Sequence, residues 1–245
     1  MSVFTIQIAG AVVGITSLGE HTAQFFHNYL WSGKPDFSIE ISPEDIAFER
    51  EKSLREDALE GLPPRVFSDS YLETISIQRK ITEQLFDRDT LLFHGSVVAV
   101  DGAAYLFTAK SGTGKSTHTR LWRELLGDRA VMVNDDKPFL RIEKNGVTAC
   151  GTPWNGKHGL GENITVPLKA ICILERGEEN RIREIPPREA LFMLLQQSNR
   201  PMNPGKMGQY LDLVDRLSRS VSFWRLQCNM QPEAARISYE TMSAK

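Results

Sequence analysis

The chain is poor in the features that would place it on a membrane, on nucleic acid or around a structural metal. It has only three cysteines, Cys150, Cys172 and Cys228, and their spacing matches no metal site. An odd number of scattered cysteines suits a reducing cytoplasm, and each reads as a small buried apolar residue. No apolar run approaches the length of a bilayer span. The segment Met1–Gly10 lacks the basic lead and long apolar centre of a signal peptide, and its alternation reads as a first strand. A cytoplasmic protein without a membrane partner is the expectation. The net charge of -2 supplies no basic excess, so bulk electrostatics indicate no nucleic-acid partner. There is no internal repeat or low-complexity tract. With 41% hydrophobic residues over 245 positions, the chain can bury a substantial core as one large domain or two small ones.

What is present is concentrated in the middle. Ala109-Lys110-Ser111-Gly112-Thr113-Gly114-Lys115-Ser116-Thr117 has the composition of a phosphate cradle. Glycines at 112 and 114 permit the φ angles that turn successive backbone N–H groups inward. Lys115 brings a mobile positive charge for the β- and γ-phosphates, and the Ser116 hydroxyl suits Mg²⁺. Residues Ser111 through Thr117 are the nucleotide-binding set. The usual pattern begins with glycine, and here Ala109 stands in that place. A β-prone run, Ala103–Thr108, precedes the loop. A helical pattern with Leu121, Trp122, Leu125 and Leu126 on one face follows it, and Gly127 marks its end.

Leu91–Val100 reads as another strand, joined to Ala103–Thr108 by the hairpin turn Asp101-Gly102. With that turn, Val100 faces Ala103. Counting outward sets His94 opposite Ala109, beside the mouth of the loop. An antiparallel entry to a phosphate loop departs from the parallel sheets of ordinary P-loop proteins. After the helix, the apolar run Ala130–Val133 ends in Asn134-Asp135-Asp136. Carboxylates at this place can hold Mg²⁺ or take a proton from an incoming hydroxyl.

Taken together, the His94-Gly95 pair, the hairpin, the S-G-T-G-K-S loop and Asp135-Asp136 resemble the HPr kinase/phosphorylase family and its relatives, the ATP-dependent phosphoenolpyruvate carboxykinases. The resemblance spans roughly residues 90 to 140. It implies an α/β fold whose core is a mixed-sheet P-loop kinase domain of that type; the first part of the chain, which the resemblance does not reach, reads from its turn signals as a small N-terminal α+β subdomain. It implies ATP and Mg²⁺ as cofactors, and a transfer of the γ-phosphoryl group to a serine hydroxyl of a small protein or peptide. By matching position, Asp135 is the base supported by His94, Lys115 neutralises the phosphates, and Ser116 with Asp136 holds the metal. The two aspartates are interchangeable at this stage, and the carboxykinases leave His94 open to a ligand role. A homo-oligomer is a further implication. The glycine-rich signature tied to phosphorolysis and the oxaloacetate-binding elements have no counterpart, so neither activity carries over. A metabolite kinase and a nucleotide-binding regulator remain alternative readings.

Where the signature would stand lies Gly151–Gly159, a polar loop with Lys157 and His158, both candidate substrate contacts. Turn signals at Gly61-Leu62-Pro63-Pro64 set an expected boundary between residues 1–66 and 67–245. Within the first part, Ser42-Pro43 reads as a helix start, and Glu49–Asp57 as a solvated helix face or mobile loop. Tyr71–Phe86 is an expected helix leading into the core. Pro167–Glu175 and Val221–Leu226 are expected strands, and Pro187–Gln197, Tyr210–Leu217 and Pro232–Met242 expected helices.

Overall fold

Two tight turns at positive φ, Ala9–Gly10 and Asp101–Gly102, organise the two halves of the chain in a computed structural model that describes residues 1–244. The chain divides into compact units of residues 1–84 and 85–245. In the first unit, β1 (Ser2–Ile8) and β2 (Ala11–Ser17) pair antiparallel, and β3 (Phe37–Glu40) joins β2 in parallel. Helices α1 (Thr22–Phe25), α2 (Pro43–Leu59) and α3 (Asp69–Leu85) complete it. The Ser42 cap forms as expected, with its backbone N–H donating to Asp45 at 3.0 Å.

Of the two readings of Glu49–Asp57 the helix holds: the segment lies inside α2, with residues 50–56 exposed or half-buried and only Glu49 and Asp57 buried. Arg79 on α3 donates to Glu49 and Asp45, and Arg65 donates to Asp57 through both its backbone and its Nε, each at 2.7 Å. Buried carboxylates require such partners. The first compact unit runs past the expected boundary at 66, to residue 84. Glu73 on α3 accepts from the amides of Leu18 and Gly19 and from Thr22 Oγ1 at 2.6 Å, which binds the helix to the first unit.

The second unit contains β4 (Thr90–Leu92), β5 (Ser96–Val100), β6 (Ala103–Thr108), α4 (Lys115–Leu126), β7 (Ala130–Asn134), β8 (Phe139–Glu143), β9 (Gly146–Cys150), β10 (Thr165–Arg176), β11 (Arg181–Ile185), α5 (Pro187–Gln197), α6 (Met207–Ser220), β12 (Ser222–Cys228) and α7 (Pro232–Ser243). Its nine strands form a mixed sheet. β6 runs antiparallel to β5 and parallel to β10, which is parallel to β12 on its other side. β7 is antiparallel to β5, so β6, β7, β10 and β12 all end at one edge. Alternation along these strands loads both faces. Leu106, Ile171 and Phe223 stand side by side in the core with Leu194, Tyr210 and Leu213 of α5 and α6. Their neighbours Phe107, Cys172 and Trp224 pack on the other face with Trp122 of α4 and Ala235 of α7. Trp122 is fully buried, worth several kcal/mol at about 25 cal/mol per Å². Leu125, expected on the same face, is exposed instead.

The expected strand 91–100 is two strands. The chain breaks at Phe93-His94-Gly95, where three successive amides donate to Pro138, Gln197 and Asp136 carbonyls at 3.0, 2.7 and 3.0 Å. β4 then pairs with β8 while β5 pairs with β6 and β7. Gly95 permits the crossing: a Cβ there would stand 2.9 Å from Leu106 Cδ2 and 3.2 Å from Phe107 O. No helix among the described residues is long and apolar enough to cross a membrane.

Candidate functional site

The hairpin register is the one the turn implies: Val100 pairs with Ala103 and Ser96 with Phe107. Asp101 and Gly102 have φ of 51° and 82°, which the turn requires. The ladder stops at Ser96. Thr108 Oγ1 nevertheless donates to His94 O at 3.0 Å, so the histidine lies at the end of β6 where the loop begins.

From there the chain turns through Gly112 (φ 73°) and Gly114 (φ 120°) into α4. Ala109 is buried and keeps a negative φ, which is why alanine serves where the pattern expects glycine. The amide of His118 donates to Gly114 O at 2.9 Å. The amides at the helix start before it are left to meet a ligand or water. The Arg176 guanidinium, at the end of β10, donates to Gly112 O and braces the loop.

β7 delivers Asn134, Asp135 and Asp136 to the same edge, and the two carboxylates take different partners. Asp135 is buried and accepts from Ser96 Oγ at 2.6 Å. With its proton so committed, Ser96 accepts from Thr119 Oγ1, 2.9 Å away on α4. Asp136 is more open, and His94 Nε2 lies 3.3 Å from its Oδ1. His94 therefore stands against Asp136, whereas the family resemblance pairs it with Asp135.

The charges interact across the edge. Asp136 is the strongest influence on His94 and pulls its pKa up, but burial, Lys137 and Lys115 together bring it below 6.5. Burial pushes the Asp136 carboxyl up, and His94, Lys137 and Lys115 outweigh it, holding it below 3.8. Burial pulls the Lys115 ammonium below 10.5, while Asp136 and Asp135 partly restore it and Lys137 adds repulsion. Near neutral pH this leaves an imidazole donating to an ionised Asp136, with the Lys115 cation within their field.

The loop after β9 closes over this edge. Asn134 is fully buried; its Oδ1 accepts from the amides of Asp136 and Lys137 at 2.8 and 2.6 Å. Its Nδ2 reaches Asn155 Oδ1 at 2.7 Å and Thr152 Oγ1 at 2.9 Å. Gly156, at φ 65°, lies where a Cβ would stand 3.2 Å from Asp136 Cβ. Lys157 and His158 follow on an exposed turn, and no contact joins either to the carboxylates. Ser96, Thr119 and Asn134 are the residues that sequence reasoning left without a role. A serine in a strand and a threonine in a helix carry no motif signal, whereas Asn134 was visible beside the aspartates.

Gly151 holds the loop by close approach. A Cβ there would lie 1.8 Å from Glu162 O and 2.9 Å from Val133 O. Gly151→Ala is expected to cost about 2–3 kcal/mol in chemical denaturation, because backbone has to move. Gly159→Ala meets no atom within 4 Å and carries only the strain of φ 60°, about 1 kcal/mol. Equal stability of the two variants would contradict the packing described.

A family model described as SynChlorMet cassette protein ScmC matches residues 67–230. No curated protein matches the chain in sequence. Among solved structures, the Hpr(Ser) kinase/phosphatase from Coxiella burnetii is similar at 13% identity and a TM-score of 0.37, over 62% of this chain and 98% of that one.

Proposed function

The chain belongs to the family described as SynChlorMet cassette protein ScmC, and we propose that its second unit is a Mg²⁺-dependent phosphotransferase that moves the γ-phosphoryl group of ATP to a hydroxyl. The family description names no reaction, so the chemistry is argued from the site. The observation that carries it is the convergence, at one sheet edge, of a helix N-terminus, the half-buried Lys115, and two carboxylates in unlike settings. Phosphoryl transfer needs positioning and charge neutralisation more than covalent chemistry.

Ser111 through Thr117 cradle the phosphates with backbone amides, and Lys115 offsets the charge at the β–γ bridge. Among the described residues no cluster of three or more His, Cys, Asp or Glu forms a cage for a metal. That fits Mg²⁺, which is commonly held by one or two carboxylates together with substrate phosphates and water. Ser116 and one aspartate supply such a donor set. Bound there, the ion would neutralise charge on the β- and γ-oxygens.

In this reading the two aspartates exchange the roles that the resemblance implies. Asp135 is buried and linked through Ser96 and Thr119 to the helix that carries Ser116, which suits the metal side. Asp136 is accessible, ionised and backed by His94, which suits a base. In this scheme the acceptor oxygen attacks Pγ, its proton passes to Asp136, and the Pγ–O bond to ADP breaks. His94 orients the carboxylate.

The acceptor proposed is a serine of a peptide or small protein. The exposed turn at Lys157 and His158, adjoining Gly156 against Asp136, offers an open approach that a chain-borne hydroxyl can use. The test is mass spectrometry of ATP/Mg²⁺ reactions offered a peptide pool encoded beside the gene or a metabolite pool. One added phosphate on a peptide serine is expected. Phosphate on a metabolite would move the reading to a small-molecule kinase. Bound but intact ATP with both pools would favour a regulator.

A further inference from the structure

Two clefts meet the loop, neither lined by Asp135 or Asp136, and they differ in their walls. One, of about 460 Å³, meets the loop only at Lys110 and Thr113 and carries the carboxylates Glu175 and Glu189. These pair with Arg225 and Arg183. The other, of about 490 Å³, starts at Gly112–Gly114 and runs along one face of α4, through Thr117, His118 and Leu121. Its far wall is Leu174, Cys228 and Met230 from the ends of β10 and β12, and no carboxylate lines it.

His118 gives this second cleft a polar group. The residue is 2% exposed. Its Nε2 lies 3.0 Å from Ser238 Oγ, which also lies 3.0 Å from Ala235 O and accepts from Trp122 Nε1 at 2.8 Å. The single Ser238 proton has two acceptors at equal distance, Ala235 O and His118 Nε2, so this contact serves either imidazole tautomer. Nδ1 is left as a buried polar atom with no partner among the described residues. Burial lowers the ring's pKa to about 4, so the imidazole is uncharged at neutral pH.

Resting on the phosphotransferase reading, we infer that the 490 Å³ cleft takes the nucleoside half of the nucleotide, with the base between Leu121, Leu174 and Met230 and a polar group of the nucleoside meeting His118 Nδ1. The order along α4 matches the order of the ligand. Phosphates lie at Gly112–Ser116, the sugar by Thr117 and His118, and the base at Leu121, one helical turn further on. Small-molecule sites commonly combine apolar walls with a few directed polar groups. The other cleft, whose carboxylates are balanced by Lys110, Arg176 and Arg225, does not include His118 and would leave Nδ1 unmet.

Cys228 makes the inference measurable on the native chain, since it lines the cleft partly exposed while Cys150 and Cys172 are buried. The experiment follows iodoacetamide alkylation of each cysteine by peptide mass spectrometry, with ATP or inorganic tripolyphosphate, both with Mg²⁺. Calorimetry records binding of each ligand under the same conditions. ATP is expected to slow Cys228 labelling at least tenfold, and tripolyphosphate to leave it unchanged although it binds. Met230→Glu, an exposed substitution that folding tolerates, is expected to weaken ATP binding at least fivefold and tripolyphosphate less than twofold. ATP that binds without protecting Cys228 would overturn the inference and leave the phosphotransferase reading standing. Equal protection by both ligands would overturn it too. If neither ligand binds, both readings fall.

Discussion

Lys115→Ala should raise the dissociation constant for ATP by about 30- to 1000-fold, from the roughly 2–5 kcal/mol lost when one partner of a buried charge pair is removed. The ammonium is held partly desolvated at the loop, with Asp136 and Asp135 as its opposing charges and Lys137 as a competitor. A triphosphate arriving there adds negative charge against a cation already stripped of much of its water. Removing the cation leaves the phosphates facing two carboxylates. The fold should survive, because the packing of α4 rests on Leu121 and Trp122, further along the helix. Calorimetric titration of the parent and variant with ATP/Mg²⁺ decides the matter, with circular dichroism as the folding control. Unaltered affinity would remove Lys115 from the phosphate site and with it the reading of the loop.

The second large effect separates the aspartates. Asp136→Asn is expected to lower kcat by about 10²- to 10⁴-fold while ATP affinity stays within about threefold, the pattern of a lost proton acceptor. Asp135→Asn is expected to weaken Mg²⁺-dependent ATP binding instead. The amide oxygen can still accept from Ser96, so local structure is kept. Steady-state kinetics and titrations with and without Mg²⁺ give both quantities. If the phenotypes are exchanged, Asp135 is the base, as the resemblance implies, and the contact of His94 with Asp136 serves geometry alone.

Much of the second unit was legible because its signals are local. Asp101-Gly102 dictated the turn, and the turn dictated a register that brought His94 to the loop. Pro187–Gln197 reads as a helix from its proline start and apolar spacing, and forms with those bounds. The failures share a cause, which is that distant partners decided them. Residues 91–100 are mostly apolar and β-prone and read as one strand. The split at His94 is made by carbonyls of Pro138, Gln197 and Asp136. The boundary at 66 followed from a proline breaker, but contacts of Glu73 and Arg79, invisible to local pattern, carry α3 into the first unit. At the candidate site the motif-bearing residues were visible, while Ser96 and Thr119 acquire meaning only once β5 and α4 are adjacent.

On the phosphotransferase reading, Asn134 would tie acceptor recognition to chemistry in a way that bears on how members of this family can diverge. One end of its side chain fixes the amides of Asp136 and Lys137, and the other fixes Thr152 and Asn155 in the covering loop. The loop is therefore not an independent module. Exchanging residues 151–161 between relatives to change the acceptor would disturb the carboxylates unless the side chains that meet Asn134 travelled with it. On that reading, new specificity would be reached chiefly through the exposed turn at Lys157 and His158, where substitutions leave that anchor intact.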